Sequence, residues 1–166
     1  MTPAMCTCMH SRGMTLCTLL RKGADPDQTD KMGRSAIHHC LLSNNPSLNC
    51  VKILVKFGVN VNLQDENRRT ALMTACEQHS ETHISVIRYL VNHDADPVLQ
   101  DKQGKDSFDY CPFQADYVKA LMKESVGKWL TKRYVTLPSE WYLPLFKRNN
   151  KIFKSHKYTL CVTLSK

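Results

Sequence analysis

Residues 30–40 read DKMGRSAIHHC, and 35 positions later residues 65–76 read DENRRTALMTAC. Each string is a polar turn, then a hydroxyl residue, then small and apolar residues. Aligned on the hydroxyl, Thr2, Ser35 and Thr70 precede Pro3-Ala4-Met5, Ala36-Ile37-His38 and Ala71-Leu72-Met73. Asp106-Ser107-Phe108-Asp109 continues the series, and the steps are 33, 35 and 36 residues. A second landmark keeps the same time: Gly23-Ala24-Asp25-Pro26, Gly58-Val59-Asn60-Val61 and Asp94-Ala95-Asp96-Pro97. Cys40, Cys76 and Cys111 form a third series. Self-similarity at such a period means one supersecondary unit written several times, each burying its apolar face on its neighbours.

The chemistry of the unit follows from the residue types. Asp30-Lys31-Met32-Gly33-Arg34 and Asp101-Lys102-Gln103-Gly104-Lys105 are turn strings in which glycine supplies positive φ. Ser35 or Thr70 can then cap a first helix by accepting from its orphan N–H groups. Ala75, Cys40 and Cys76 are small enough for close helix packing. A second helix is expected around Val51, Leu54 and Val55, and again around Val86, Ile87 and Leu90, an apolar stripe at helical spacing. Gly23 and Gly58 stand where a left-handed residue ends that helix. Asp94 takes this place in the third unit, and Arg68 replaces Gly33 in the second turn, where it is expected to strain or reshape the turn. Ser43–Asn49 and Gln78–His83 read as loops between paired helices. Asp106 can cap a fourth unit, Pro112 shortens it, and 116–124, DYVKALMKE, reads as its second helix.

These residues resemble the ankyrin repeat over about residues 2–122. Ser35-Ala36-Ile37-His38, Thr70-Ala71-Leu72-Met73 and Gly23-Ala24-Asp25-Pro26 carry the likeness. It implies an all-α ankyrin-repeat solenoid of helix-turn-helix units joined by β-turn loops. The expected units are 1–29, 30–64, 65–100 and a partial 101–124. Residues 125–166 do not continue the repeat and are expected as an irregular or short-β arm. Thr2-Pro3 begins the first unit without a preceding turn.

Charge is divided along the chain. Residues 1–122 hold 13 Lys/Arg and 13 Asp/Glu, while residues 123–166 hold 10 and 2, which is the whole excess of +8. The basic extension also carries Trp129, Tyr134, Trp141, Tyr142, Phe146, Phe153 and Tyr158. Cations track phosphates and rings stack on bases, so nucleic acid or an anionic membrane is the alternative partner of this extension. No apolar run approaches the ~18 residues of a membrane helix, and no signal peptide is expected from the opening stretch. The eight cysteines are expected as free thiols, and the chain as cytoplasmic or nuclear.

Three strings invite a chemical reading. Cys76, His79 and His83 have C-x2-H-x3-H spacing, but Cys76 holds a core position and His79 and His83 are expected in a loop. Cys6, Cys8, His10 and Cys17 do not have a structural zinc spacing and fit core thiols better. His38-His39-Cys40 lacks an oxyanion device and a positioned acid, and no phosphate-binding glycine loop is present. No enzyme activity, cofactor or metal is therefore expected. The resemblance gives His38 a different role, bonding to backbone around the turn. It makes Asn62 a candidate for β-hydroxylation, with a structural turn asparagine as the default.

The resemblance implies a protein-binding scaffold that works through turn tips and the concave face of the first helices. Mapped here, those positions are Lys31, Met32, Arg34 and His39; Glu66, Asn67, Arg68, Arg69, Thr74 and Gln78; Lys102, Gln103 and Lys105. Their charge is mostly basic, which points to an acidic segment of another protein. A ubiquitin-ligase adaptor is a further possibility, for which Val135-Thr136-Leu137-Pro138 and Leu143-Pro144-Leu145 offer too little pattern.

Overall fold

The computed structural model describes residues 1–43, 46–78, 80–111, 119–120 and 122, all within the unit Met1–Val126. Seven helices run through them: α1 (Pro3–Met9), α2 (Gly13–Arg21), α3 (Ala36–Leu41), α4 (Leu48–Lys56), α5 (Ala71–Glu77), α6 (Glu81–Val91) and α7 (Ser107–Tyr110). Among the described residues there is no extended sheet, only one antiparallel bridge between Gln64 and Thr70.

Caps set the starts of the first helices. Thr2 Oγ1 accepts from the Met5 N–H at 3.2 Å and Thr70 Oγ1 from the Met73 N–H at 3.3 Å. Asp106 accepts from the N–H groups of Phe108 and Asp109 at 2.9 and 3.1 Å. Each such cap is worth about 1 kcal/mol. The second helices start earlier than expected. Leu48 and Asn49 belong to α4, and Glu81 to His83 belong to α6. Ser47 and Ser80 lie inside the loop-like strings and act as N-caps, taking the N–H groups of Cys50 and His83. A serine that looks like loop composition is also the residue that best begins a helix.

The packing is two rows of helices. α1, α3, α5 and α7 pack in succession, and α2, α4 and α6 stack beside them. Between the rows lie Met5, Leu16, Ile37, Leu54, Leu72, Ile87 and Leu90, all buried. Truncating one of them, such as Leu54, to alanine costs roughly 3 kcal/mol. The second helices end alike. Ala24, Val59 and Ala95 each donate to the carbonyl five residues back, on Leu19, Leu54 and Leu90, at 3.1 Å. That closure needs a left-handed residue before it, and Gly23, Gly58 and Asp94 have φ of 90°, 81° and 64°. The expected all-α solenoid is the observed fold. The expected helix over 116–124 is described only at Lys119, Ala120 and Met122, and the arm over 125–166 lies outside the described residues.

Candidate docking surface

Three turns project from the first-helix row, and one geometry repeats in them. In each, the leading aspartate donates its N–H to the carbonyl four residues on: Asp30 to Arg34, Asp65 to Arg69, Asp101 to Lys105. Its Oδ1 accepts two N–H groups at 2.8–3.0 Å, from Met32 and Arg34, from Asn67 and Arg69, or from Gln103 and Lys105. The fourth position is left-handed in all three, with φ of 72° at Gly33, 59° at Arg68 and 74° at Gly104. Arg68 therefore keeps the turn rather than reshaping it. The tips are joined, since the Glu66 N–H donates to Met32 O and the Lys102 N–H to Asn67 O, both at 3.0 Å. A Cβ on Gly33 would stand 2.9 Å from the Glu66 nitrogen, so this glycine also makes room for the next tip.

Two buried histidines fasten neighbouring units. The Ser35 N–H can only donate, and it meets His38 Nδ1 at 3.3 Å. The His38 proton is then on Nε2, which donates to Arg69 O at 3.3 Å, in the role the resemblance implied. Burial holds His38 below the ordinary imidazole pKa despite that bond. His83 follows the same logic, donating from Nε2 to Leu41 O at 3.4 Å while Nδ1 meets Ser80 Oγ at 2.6 Å. His83 is thus a helical, buried residue and not a loop ligand. His79 lies outside the described residues. Among the described residues no three His, Cys, Asp or Glu groups are placed to hold a metal ion. Asn62 also ties units together: Nδ2 donates to Asp94 O at 2.9 Å and Oδ1 accepts the Asp96 N–H at 2.7 Å.

The candidate docking residues divide by exposure. Lys31, Met32, Glu66, Asn67, Arg68, Gln78, Lys102, Gln103 and Lys105 are exposed, and Arg34 and Arg69 are partly so. His39 and Thr74 are corrections, since they are only 4% and 8% exposed. His39 Nε2 lies 2.8 Å from Asp30 Oδ2, and Thr74 donates its hydroxyl to Thr70 O at 3.3 Å. Both sit four residues after the helix cap, a position that points back at the turn rather than out of it. Tyr110 holds the same place in the last unit, where its hydroxyl donates to Asp101 Oδ2 at 2.6 Å. Sequence reasoning passed over Tyr110 and Glu77, although the four-residue offset from Asp106 marks the tyrosine. Arg69 uses both of them, pairing with the Glu77 carboxylate and lying 4.7 Å over the Tyr110 ring.

Charge at the tips follows from these partners. Burial alone would raise the Asp30 carboxyl. The Arg34 N–H and guanidinium, the Met32 N–H and His39 outweigh it and hold the group well below the carboxylate range. Asp101 is lowered against burial by the Tyr110 hydroxyl and the N–H groups of Lys105 and Gln103. Tyr110 is correspondingly pushed up to about 12, by burial and by that donated bond. The turn aspartates are spent internally. The exposed tips keep Lys31, Arg68, Lys102 and Lys105 against Glu66.

A family model of three ankyrin repeats matches residues 4–101. The chain belongs to the ankyrin repeat family. Protein phosphatase 1 regulatory subunit 27 of Mus musculus is 39% identical over 78 residues, 47% of either chain. Its Homo sapiens counterpart is 41% identical over 72 residues, 43% of this chain and 44% of the relative. The chain thus spans about half the length of these curated relatives. Among solved structures, the ankyrin repeat domain of Bcl-3, a member of the IkappaB protein family, matches with a TM-score of 0.66 and 27% identity. That match covers 74% of this chain and 51% of the other. Ankyrin repeats are protein-interaction modules, and among the described residues no helix is long and apolar enough to cross a membrane.

Proposed function

We propose that this chain is a non-catalytic adaptor of the cytoplasm or nucleus that binds an acidic segment of another protein across its three turn tips. The observation that carries this reading is the basic row at those tips. Lys31, Arg68, Lys102 and Lys105 are exposed there, while the turn aspartates are withdrawn into backbone bonds. Joined tips hold the row in register, so binding an extended partner need not order the tips themselves. Relatives named as regulatory subunits of protein phosphatase 1 support a binding subunit rather than a catalyst. The second reading, nucleic acid or anionic membrane on residues 125–166, rests on the 10 Lys/Arg against 2 Asp/Glu after residue 122.

Zero-length carbodiimide coupling tests the choice, because it joins a lysine only to a carboxylate in direct contact. The full chain is coupled in cell lysate and the linked lysines are mapped by mass spectrometry. The adaptor reading expects partner carboxylates on Lys31, Lys102 and Lys105. Links confined to Lys22, Lys52 and Lys56, or bound material that nuclease releases, would overturn it.

A further inference from the structure

Arg34 and Arg69 hold the same place in successive turns, and their guanidinium groups are used differently. Nε and Nη2 of an arginine share one edge of a planar fork, spaced to donate side by side. In the first unit Asp30 Oδ2 takes both donors of that edge, at 3.0 and 2.9 Å. In the second unit the guanidinium leaves its own turn. Nη2 donates to the carboxylate of Glu77, the last residue of α5. Arg69 Nε is buried and has no hydrogen-bond partner among the described residues. The edge of Arg69 is therefore half used, and a buried donor left unmade costs stability.

The surroundings of Arg69 are fixed while its acid is not. The guanidinium lies 4.7 Å from the centre of the Tyr110 ring, and the Tyr110 hydroxyl is tied to Asp101 Oδ2 at 2.6 Å. Lys105 Nζ lies 5.9 Å from the same ring centre, so cations from two successive tips meet on one tyrosine. The Glu77 side chain is 49% exposed against 26% for Arg69. Glu77 can turn into water at little cost, because a half-exposed ion pair is worth little. Arg69 then keeps its ring and its neighbouring lysine, and its whole donor edge is open to another acid.

We propose that Arg69, backed by Tyr110 and flanked by Lys105, is the seat for one side-chain carboxylate of the acidic partner segment, and that Glu77 fills this seat in the free chain. The inference rests on the reading that an acidic segment binds across the tips. The incoming carboxylate displaces Glu77 and accepts from both Nε and Nη2 of Arg69. It gains a second charge-assisted bond that Glu77 does not make, and it lies beside Lys105 at the end of the basic row. Glu77 also sets a threshold. An acid that reaches only one donor makes no more bonds than Glu77 already does, so the seat selects a carboxylate placed to use both.

The test titrates the isotope-labelled full chain with an end-blocked octaglutamate peptide at fixed salt. NMR follows the backbone amides of the tips and the arginine Nε–H signals, with Arg69 assigned by its loss in Arg69→Lys. The Arg69 Nε–H signal is expected to move along the same saturation curve as the amides of Lys31, Asn67 and Lys102. Glu77→Gln, which removes the competing acid, should tighten binding about fivefold, while Glu81→Gln, with the same change of charge, stays within about twofold of wild type. Arg69→Lys, checked for a native amide spectrum, should weaken binding about tenfold, because an ammonium cannot donate side by side. The seat is overturned, and the tip reading left standing, if the tip amides shift while Arg69 Nε–H does not. Equal gains from Glu77→Gln and Glu81→Gln overturn it in the same way. If neither the tips nor Arg69 respond to the peptide, both readings fall.

Discussion

The first and second tips share a turn and differ in what their side chains do with it. In both, Oδ1 of the leading aspartate holds two backbone N–H groups. In the first, Oδ2 of Asp30 takes Arg34 at 2.9–3.0 Å and His39 at 2.8 Å, so arginine and histidine are absorbed inside the unit. In the second, Thr74 is too short to reach Asp65 and bonds its own helix. Arg69 instead pairs with Glu77 of α5 and lies over the Tyr110 ring of α7. One aspartate oxygen builds the turn, and in the first tip the other also holds Arg34 and His39 within the unit.

Removing the aspartates should separate these roles most strongly. Asp30→Ala is expected to lower stability by about 3 kcal/mol and Asp65→Ala by about 1.5 kcal/mol, because only Asp30 leaves a buried histidine and an arginine unpartnered. Urea melts of the two variants check this, and equal losses would remove the distinction between the tips. Acid sharpens the same comparison. The Asp30 carboxyl sits lower in the folded chain than in the unfolded one. Its contribution is therefore full above the unfolded value of about 3.9 and is lost as pH falls toward the folded value. The stability gap between wild type and Asp30→Asn should narrow as urea melts are taken from pH 6 down to about pH 3. A constant gap would mean that the carboxylate charge contributes nothing.

The left-handed positions give opposite signs. Gly33→Ala should cost about 2 kcal/mol, since φ is 72° and the new Cβ would press on the Glu66 nitrogen at 2.9 Å. Arg68→Gly should stabilise by about 1 kcal/mol, relieving a non-glycine residue at φ 59°. Thermal melts measure both, and an Arg68→Gly variant less stable than wild type would mean that the arginine side chain holds the tip. Thr70→Ala, which removes one cap bond, is expected to cost about 1 kcal/mol.

Much of this molecule was legible in its sequence because a solenoid is local. Turn, cap and apolar stripe each follow from residues a few positions apart, and the period places one unit on the next. Asp94 and Arg68 could be assigned to glycine positions by alignment alone. What escaped was contact across units and back onto turns. His39 and Thr74 look like exposed helix-face residues until the turn behind them is built. Tyr110 matters because Arg69 lies on its ring, which no single repeat reveals. The starts of α4 and α6 escaped for another reason, since Ser47 and Ser80 are equally good in a loop and at a cap.

The most direct measurement of the docking surface compares two charge reversals at matched net charge. One variant carries Lys31→Glu, Arg68→Glu and Lys102→Glu at the tips. The other carries Lys22→Glu, Lys52→Glu and Lys56→Glu, on and just after the second-helix row. Each full chain captures partners from the same lysate at fixed salt, and bound proteins are quantified against wild type. If the tips are the docking surface, the first variant loses a protein that wild type holds by at least about tenfold, or 1.4 kcal/mol, and the second keeps it. Equal loss in both variants, or retention by the first, would place binding elsewhere on the chain.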